Sequence, residues 1–457
     1  MESLTLDEVL NAVSGNLLVK GTDEVYSDVT TDSRKVTKDS IFFALKGTKF
    51  DGNEFAEDVS NKGAGACIVD EIKFDKNSLN KNTSIIKVKD AKCALQNLAK
   101  YYRSRLNVKV IGVTGSTGKT STKDVIAALL SSKYKVFKTI GNFNNDLGLP
   151  LMIFKIDNSF DIAVLEMGMS HFNEIHFLCS IAKPDMAVIT NIGISHIEYL
   201  KTRENILKAK LEITDFFDKS NVLSINGDND LLKNYSSSKF KVIKIGTNKN
   251  FDYSADNIKI GESSVSFDIY EKGKVAFKNF KVNVIGKHNV TNILLAVSCA
   301  RQLGLSYDDM ALGADNLSKT SMRLEITKKN GITFINDSYN ASPDSMKAAI
   351  DVMHNAEGKR RIAVLGTMRE LGDFSFKAHF DVGKYAKDNG IDLLISIGEF
   401  SGAYKKGFGE DGFMEFKDND SVSDFLKKNL KENDIILFKA SRLLKFENIV
   451  NYLKENL

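Results

Sequence analysis

The chain has 457 residues, 42% of them hydrophobic and 27% charged, with 63 Lys plus Arg against 59 Asp plus Glu for a formal charge of +4. At about 150 residues per domain this length predicts about three domains, each able to bury a core. The near-neutral balance, with no long basic run, argues against duplex binding through bulk electrostatics.

The opening residues MESLTLDEVLNAV carry acids in an amphipathic, helix-like pattern and lack the basic start and apolar stretch of a signal peptide. No segment has the roughly 18 apolar residues that a membrane span needs. Cys67, Cys93, Cys179 and Cys299 are too far apart for a C-x-x-C pair and read as buried thiols in a reducing compartment. A cytoplasmic chain is expected.

TTDSRKV, SIFFALKG and GACIVD read as short strands among Gly- and Asp-rich turns, followed by a helix over AKCALQNLAKYYRSRL. From residue 108, VKVIGV, DIAVLEM, MAVITNIG, NVLSING and KVIKIG alternate with amphipathic stretches, the pattern of a parallel sheet covered on both faces. A more β-rich piece, SSVSFDIYE and FKVNVIG, leads into the helical TNILLAVSCARQLG. GITFIND, RIAVLG, DLLISIG and DIILFKA then predict a second doubly wound unit, with Pro343 in the first turn of a helix. The expected plan is α/β: residues 1–106 as an N-terminal domain, 107–319 as a central P-loop parallel-sheet domain, and 320–457 as a C-terminal Rossmann-like domain.

The sharpest local signal is IGVTGSTGKTSTK, a strand, a glycine-rich turn and a helix beginning at Lys119. Such a turn lets backbone N–H groups approach phosphate oxygens at a helix N-terminus. Gly115, Ser116, Thr117, Gly118 and Ser121 would line the phosphates, Lys119 would bridge β and γ, and Thr120 would ligate Mg²⁺. Val113 stands where the strict pattern has a glycine. Glu166, closing a neighbouring strand, is placed to hold the metal, and His196 lies at another strand end. His171 and His176, five apart, match no zinc-ligand spacing.

In order along the chain these pieces resemble the Mur ligase family, ATP-dependent amide-forming enzymes of bacterial cell-wall synthesis. The matching segments include TDSRKV, FFALKGTKFDGNEF, TGSTGKTSTK, GNFNNDLGLP, LEMGM, NIGISH, KAKLEI, GKHNVTN, MRLE, NDSYNASPDSMKAA and VLGTMRELG. GNFNNDLGLP resembles most the family member that adds a dipeptide. The resemblance implies ATP-dependent joining of D-alanyl-D-alanine to UDP-N-acetylmuramoyl-tripeptide through an acyl phosphate, giving the UDP-MurNAc-pentapeptide precursor of peptidoglycan. It also implies a monomer whose third domain closes over ATP.

The same resemblance assigns residues. Lys210 matches a lysine carbamylated by CO₂ that would hold a second Mg²⁺ beside His196; from its residue type alone it reads as an exposed helix lysine. Asn289 and Asn292 sit where the family contacts adenine, and Arg323, Asp337, Tyr339 and Asn340 belong to the nucleotide-facing side of the third domain. Ser33, Arg34, Lys46 and Gly47 would hold the UDP moiety. Asn142, Asn144 and Asn145 would line the muramoyl-peptide path, and Asn142 joins Lys119, Lys210 and His196 among the expected catalytic residues. Departures from the family pattern are Asn53 for His, Asn173 for Gly, Thr367 for Asp, Ala440 for Gly, and Leu200–Lys201 for Gly-Ser. The alternatives are a relative adding a single amino acid, folylpolyglutamate synthase, or a nucleotide-binding scaffold without ligase activity.

Overall fold

Strand-forming runs that are apolar on both faces must be covered on both, and this requirement organises the chain. A computed structural model describes residues 1–318 and 321–457. The boundary expected between 319 and 320 lies outside the described residues.

The central sheet has nine strands. Their order is Lys274–Val282, Val265–Glu271, Tyr253–Ile260, Lys241–Gly246, Val222–Asn226, Met186–Ile189, Lys109–Thr114, Ile162–Glu166 and Val136–Lys138. Tyr253–Ile260 and the strands after it in this order run parallel, while the two before it pair antiparallel. The strand expected at FKVNVIG begins earlier, at Lys274, because the chain reverses at Gly273 with φ 77 and pairs back on Val265–Glu271. Helices Lys119–Leu130 and Asn289–Gln302 pack on one face, where Ile126, Leu129, Ile293 and Leu294 are buried against Ile111 and Val164. Helices Ala91–Ser104 and Glu174–Ala182 contribute to the core on the other face.

Residues 16–87 form a five-stranded sheet in which Ser40–Phe43 and Ala66–Val69 are buried throughout. TTDSRKV is not a strand. The strand ends at Thr30, and Asp32 accepts hydrogen bonds from the Arg34 backbone N–H at 3.1 Å and from its guanidinium at 2.8 Å, which fixes a turn. The C-terminal sheet has six strands, Glu325–Lys329, Ile332–Asn336, Asp434–Lys439, Arg360–Gly366, Leu393–Ile397 and Phe413–Phe416, all parallel but the first. Pro343 opens the helix Pro343–His354, as expected for a residue lacking an N–H.

One apolar cluster runs through all three units, from Leu4 and Leu95 through Leu165 and Ile189 to Met346 and Leu437. Among the described residues no helix is long and apolar enough to cross a membrane.

Candidate active site

The strand Lys109–Thr114 ends at the mouth of a cleft of about 1850 Å³ between the central and C-terminal sheets. Gly115 (φ 152) and Gly118 (φ 78) let the chain turn back into the helix that starts at Lys119. A Cβ on Gly118 would lie 2.8 Å from Asn292 Oδ1. The helix has no side-chain N-cap, which leaves its first N–H groups for an anion.

The neighbouring strand end stitches the loop in place. Thr117 N–H donates to Asn191 Oδ1 at 2.9 Å, Asn191 Nδ2 donates to Thr117 Oγ1 at 3.0 Å, and Gly193 N–H donates to Ser116 Oγ at 2.9 Å. Lys119 folds back and donates to Gly115 O at 2.8 Å; burial pulls its ammonium below the ordinary lysine range. Asn191 carries a role that motif reading missed, although it stands inside the run MAVITNIG.

Thr120 and Glu166, both buried, are hydrogen-bonded: Thr120 Oγ1 donates to Glu166 Oε2 at 2.8 Å. Asn144 Nδ2 donates to Glu166 Oε1 at 2.8 Å, and the Glu166 N–H donates to Thr139 Oγ1 at 2.9 Å. Lys123, also buried, donates to Thr139 O at 2.7 Å and so anchors the same strand end. Asn144, expected on the peptide path, here contacts the Glu166 carboxylate as well. Asn145 Oδ1 accepts from Gly148 N–H at 2.8 Å, and Asn142 is exposed at the cleft wall.

Lys210 lies in the last turn of the helix Arg203–Leu211, only 1% exposed. The exposed lysine suggested by residue type is therefore corrected: the helix turns this face inward. Its amine has no hydrogen-bond or ion-pair partner among the described residues. Burial, with the nearby Lys119 charge, pulls it well below the ordinary lysine range, toward the neutral amine.

His196 caps the short helix Ile197–Leu200 in left-handed backbone, and its Nδ1 pairs with Glu370 from the C-terminal unit. Burial lowers its proton affinity, and the Glu370 carboxylate is held below the usual range by that hydrogen bond. His171 and His176 pair elsewhere, with Glu174 and Asp215.

The C-terminal unit supplies the far wall. Arg323 Nη2 donates to Thr120 Oγ1 at 2.9 Å, with its guanidinium 4.2 Å from the Tyr339 ring centroid. Lys439, 2% exposed, pairs with Asp337 and donates to Asn340 O at 2.9 Å, holding the segment that carries Asp337, Tyr339 and Asn340. Lys439 lies in KASR, beside the departure from the family pattern at Ala440. Asn292 Nδ2 donates to Asn289 Oδ1 at 2.7 Å and its Oδ1 accepts from Thr122 at 3.1 Å, which links the expected adenine end to the loop helix.

Ser33, Arg34, Lys46 and Gly47 do not line this cleft. Arg34 pairs with Asp32, Lys46 with Asp70 and Glu71, and Lys62 donates to Ser33 O. Asn53 donates to Asp51 and Asp70 at 2.8 Å each, so that an uncharged amide locks the turn carrying Lys46 and Gly47.

Residues 25–103 match the model described as Mur ligase family, catalytic domain; residues 113–300 match the Mur ligase middle domain; and residues 322–442 match the Mur ligase, glutamate ligase domain. The chain is 40% identical to the UDP-N-acetylmuramoyl-tripeptide–D-alanyl-D-alanine ligase of Bacillus subtilis, over 99% of this chain and 98% of that one. Among solved structures it is similar to MurF from Acinetobacter baumannii, with a TM-score of 0.89 at 29% identity, covering 100% of this chain and 99% of that one. A MurF ligase from Thermotoga maritima in complex with ADP gives a TM-score of 0.81 at 28% identity, over 94% of this chain and 97% of that one.

Proposed function

The chain belongs to the Mur ligase family, and on that premise we infer that it uses ATP to join D-alanyl-D-alanine to UDP-N-acetylmuramoyl-tripeptide. The product is the pentapeptide precursor of peptidoglycan. The observation that carries this reading is the end-to-end likeness, at 40% identity, to a relative named for that one reaction.

The chemistry has two stages. The terminal carboxylate of the tripeptide attacks the γ-phosphorus of ATP, giving an acyl phosphate and ADP. The free amine of the dipeptide then attacks the acyl carbon, and the tetrahedral intermediate expels phosphate. Both stages demand positioning of two ends and neutralisation of phosphate charge. The loop 115–118, the N-terminus of the helix beginning at Lys119 and the Lys119 ammonium bind the phosphates. Arg323, already hydrogen-bonded to Thr120, brings a guanidinium to the same point. Asn289 and Asn292 face the adenine end, with Asp337, Tyr339 and Asn340 on the closing wall. Asn142, Asn144 and Asn145 border the peptide path, and Ser33, Arg34, Lys46 and Gly47 hold the UDP end in the N-terminal unit.

The donor set suits Mg²⁺: hard oxygens at Thr120 and Glu166 sit 2.8 Å apart and buried. An amine at Lys210 with no partner among the described residues, pushed toward neutrality by burial, suits addition of CO₂ to give an anionic carbamate beside His196. When bound, the metal ions would offset charge on the transferring phosphoryl group. One domain thus serves each job, residues 1–106 for the UDP end, 107–319 for ATP and 320–457 for the dipeptide side. The chain would act as a monomer in the cytoplasm.

The test is phosphate release from ATP by the purified chain with UDP-MurNAc-tripeptide. Release that depends on D-alanyl-D-alanine supports the reading. Release that requires a single amino acid in place of the dipeptide overturns it.

A further inference from the structure

The loop that follows strand Arg360–Gly366 borders the cleft and meets the central unit at His196 and Glu198. His196 Nδ1 pairs with the Glu370 carboxylate. The docking around this pair is close. Glu370 O accepts from the Glu198 N–H at 3.2 Å, and a Cβ added to Gly372 would lie 3.3 Å from Glu198 Cα. His196 (φ 66) and Glu370 (φ 62) both have positive φ, a backbone that His tolerates and Glu seldom adopts. Such strain persists where the surroundings over-determine it.

The second ring nitrogen, Nε2, has no partner among the described residues. His196 lines the cleft and shares its electrostatic surroundings with Lys119 and Lys210. A histidine that gives one ring nitrogen to a metal must keep its proton on the other. A carboxylate accepting that N–H fixes both the tautomer and the ring plane.

We propose that Glu370 is a positioning residue for His196: it accepts the Nδ1–H, leaves the Nε2 lone pair for the cation, and does so only while the C-terminal unit is docked. The metal site of the central unit is then finished by the unit that forms the amine-side wall. Phosphoryl transfer is coupled in this way to arrival of the domain that the second stage needs. The inference rests on His196 as a metal ligand.

The test is a Mn²⁺ titration of the full chain with a non-hydrolysable ATP analogue, read by electron paramagnetic resonance. Glu370→Ala should weaken one Mn²⁺ by about ten- to a hundred-fold. Glu370→Gln, which keeps an acceptor oxygen but loses the charge that strengthens the bond, should fall clearly between wild type and Glu370→Ala. His196→Ala should lose the same ion. If Glu370→Ala binds like wild type while His196→Ala loses the ion, Glu370 has no such role and the His196 ligand stands. If His196→Ala binds like wild type, the ligand assignment itself falls. Glu370→Gln as weak as Glu370→Ala would also overturn the proposal.

Discussion

Asn144 and Thr120 hold the two oxygens of one carboxylate, Glu166, from opposite sides and at the same distance, 2.8 Å. A side chain from the GNFNND segment therefore orients the group expected to carry the metal. Asn144→Ala should lower kcat by about ten- to a hundred-fold with little change in unfolding free energy, since it frees an orientation and leaves the core intact. Steady-state phosphate release beside a denaturant melt checks this; an unchanged kcat would detach Asn144 from the site.

Lys210 is buried with no partner among the described residues, so its truncation removes a reacting group and breaks no ion pair among them. Lys210→Ala should abolish turnover, and short carboxylic acids in the buffer should partly restore it by supplying the missing oxygens. Full activity in the variant would end the carbamate assignment.

His379 is buried in the C-terminal unit, where its Nε2 accepts from the Met368 N–H at 2.8 Å and its Nδ1 donates to Ser375 O. Burial pulls its pKa from 6.5 down to about 4. The unfolded chain therefore takes up a proton before the folded one. Stability is full above about pH 6.5 and falls by up to about 3 kcal/mol as pH drops toward 4. Urea melts at pH 7 and pH 4.5 should show the loss, and His379→Gln, which keeps an acceptor, should flatten it.

Two of the positions that depart from the family pattern, one in place of a glycine and one in place of a serine, have positive φ. Asn173 (φ 68) and Lys201 (φ 71) stand in backbone that glycine adopts freely. Asn173 lies in the left-handed well that Asn tolerates, whereas Lys201, at ψ −38, lies outside that well. Lys201→Gly should raise stability by about 1 kcal/mol, read as a higher Tm. A lower Tm would mean that the Lys201 side chain contributes more than its backbone costs.

The third domain must admit a dipeptide and then close. Small-angle scattering should show a smaller radius of gyration with nucleotide and tripeptide substrate than without. An unchanged radius would mean that the contacts of Arg323 and Glu370 across the cleft persist throughout the cycle.

The parallel strands were legible because VKVIGV, DIAVLEM and MAVITNIG are apolar on both faces, and the loop because glycines precede Gly118–Lys119. Lys210 was not legible from its residue type, since nothing in KAKLEI tells which helix face turns inward. Glu370 was beyond reach for another reason. Its partner His196 is far away in sequence and on another sheet, and only tertiary docking brings them together. TTDSRKV misled because its β-branched residues suggest a strand, while Asp32 captures the Arg34 N–H and closes a turn.

Gly118 bears on escape from inhibition. A compound packed against it would press on a position with no room to drift. Any side chain there must accept φ 78 and displace Asn292 from its bond to Thr122. Leu443, also at the cleft but 68% exposed, offers no such barrier. Resistance by single substitution should therefore accumulate against contacts on Leu443 and stay rare against contacts on the glycine.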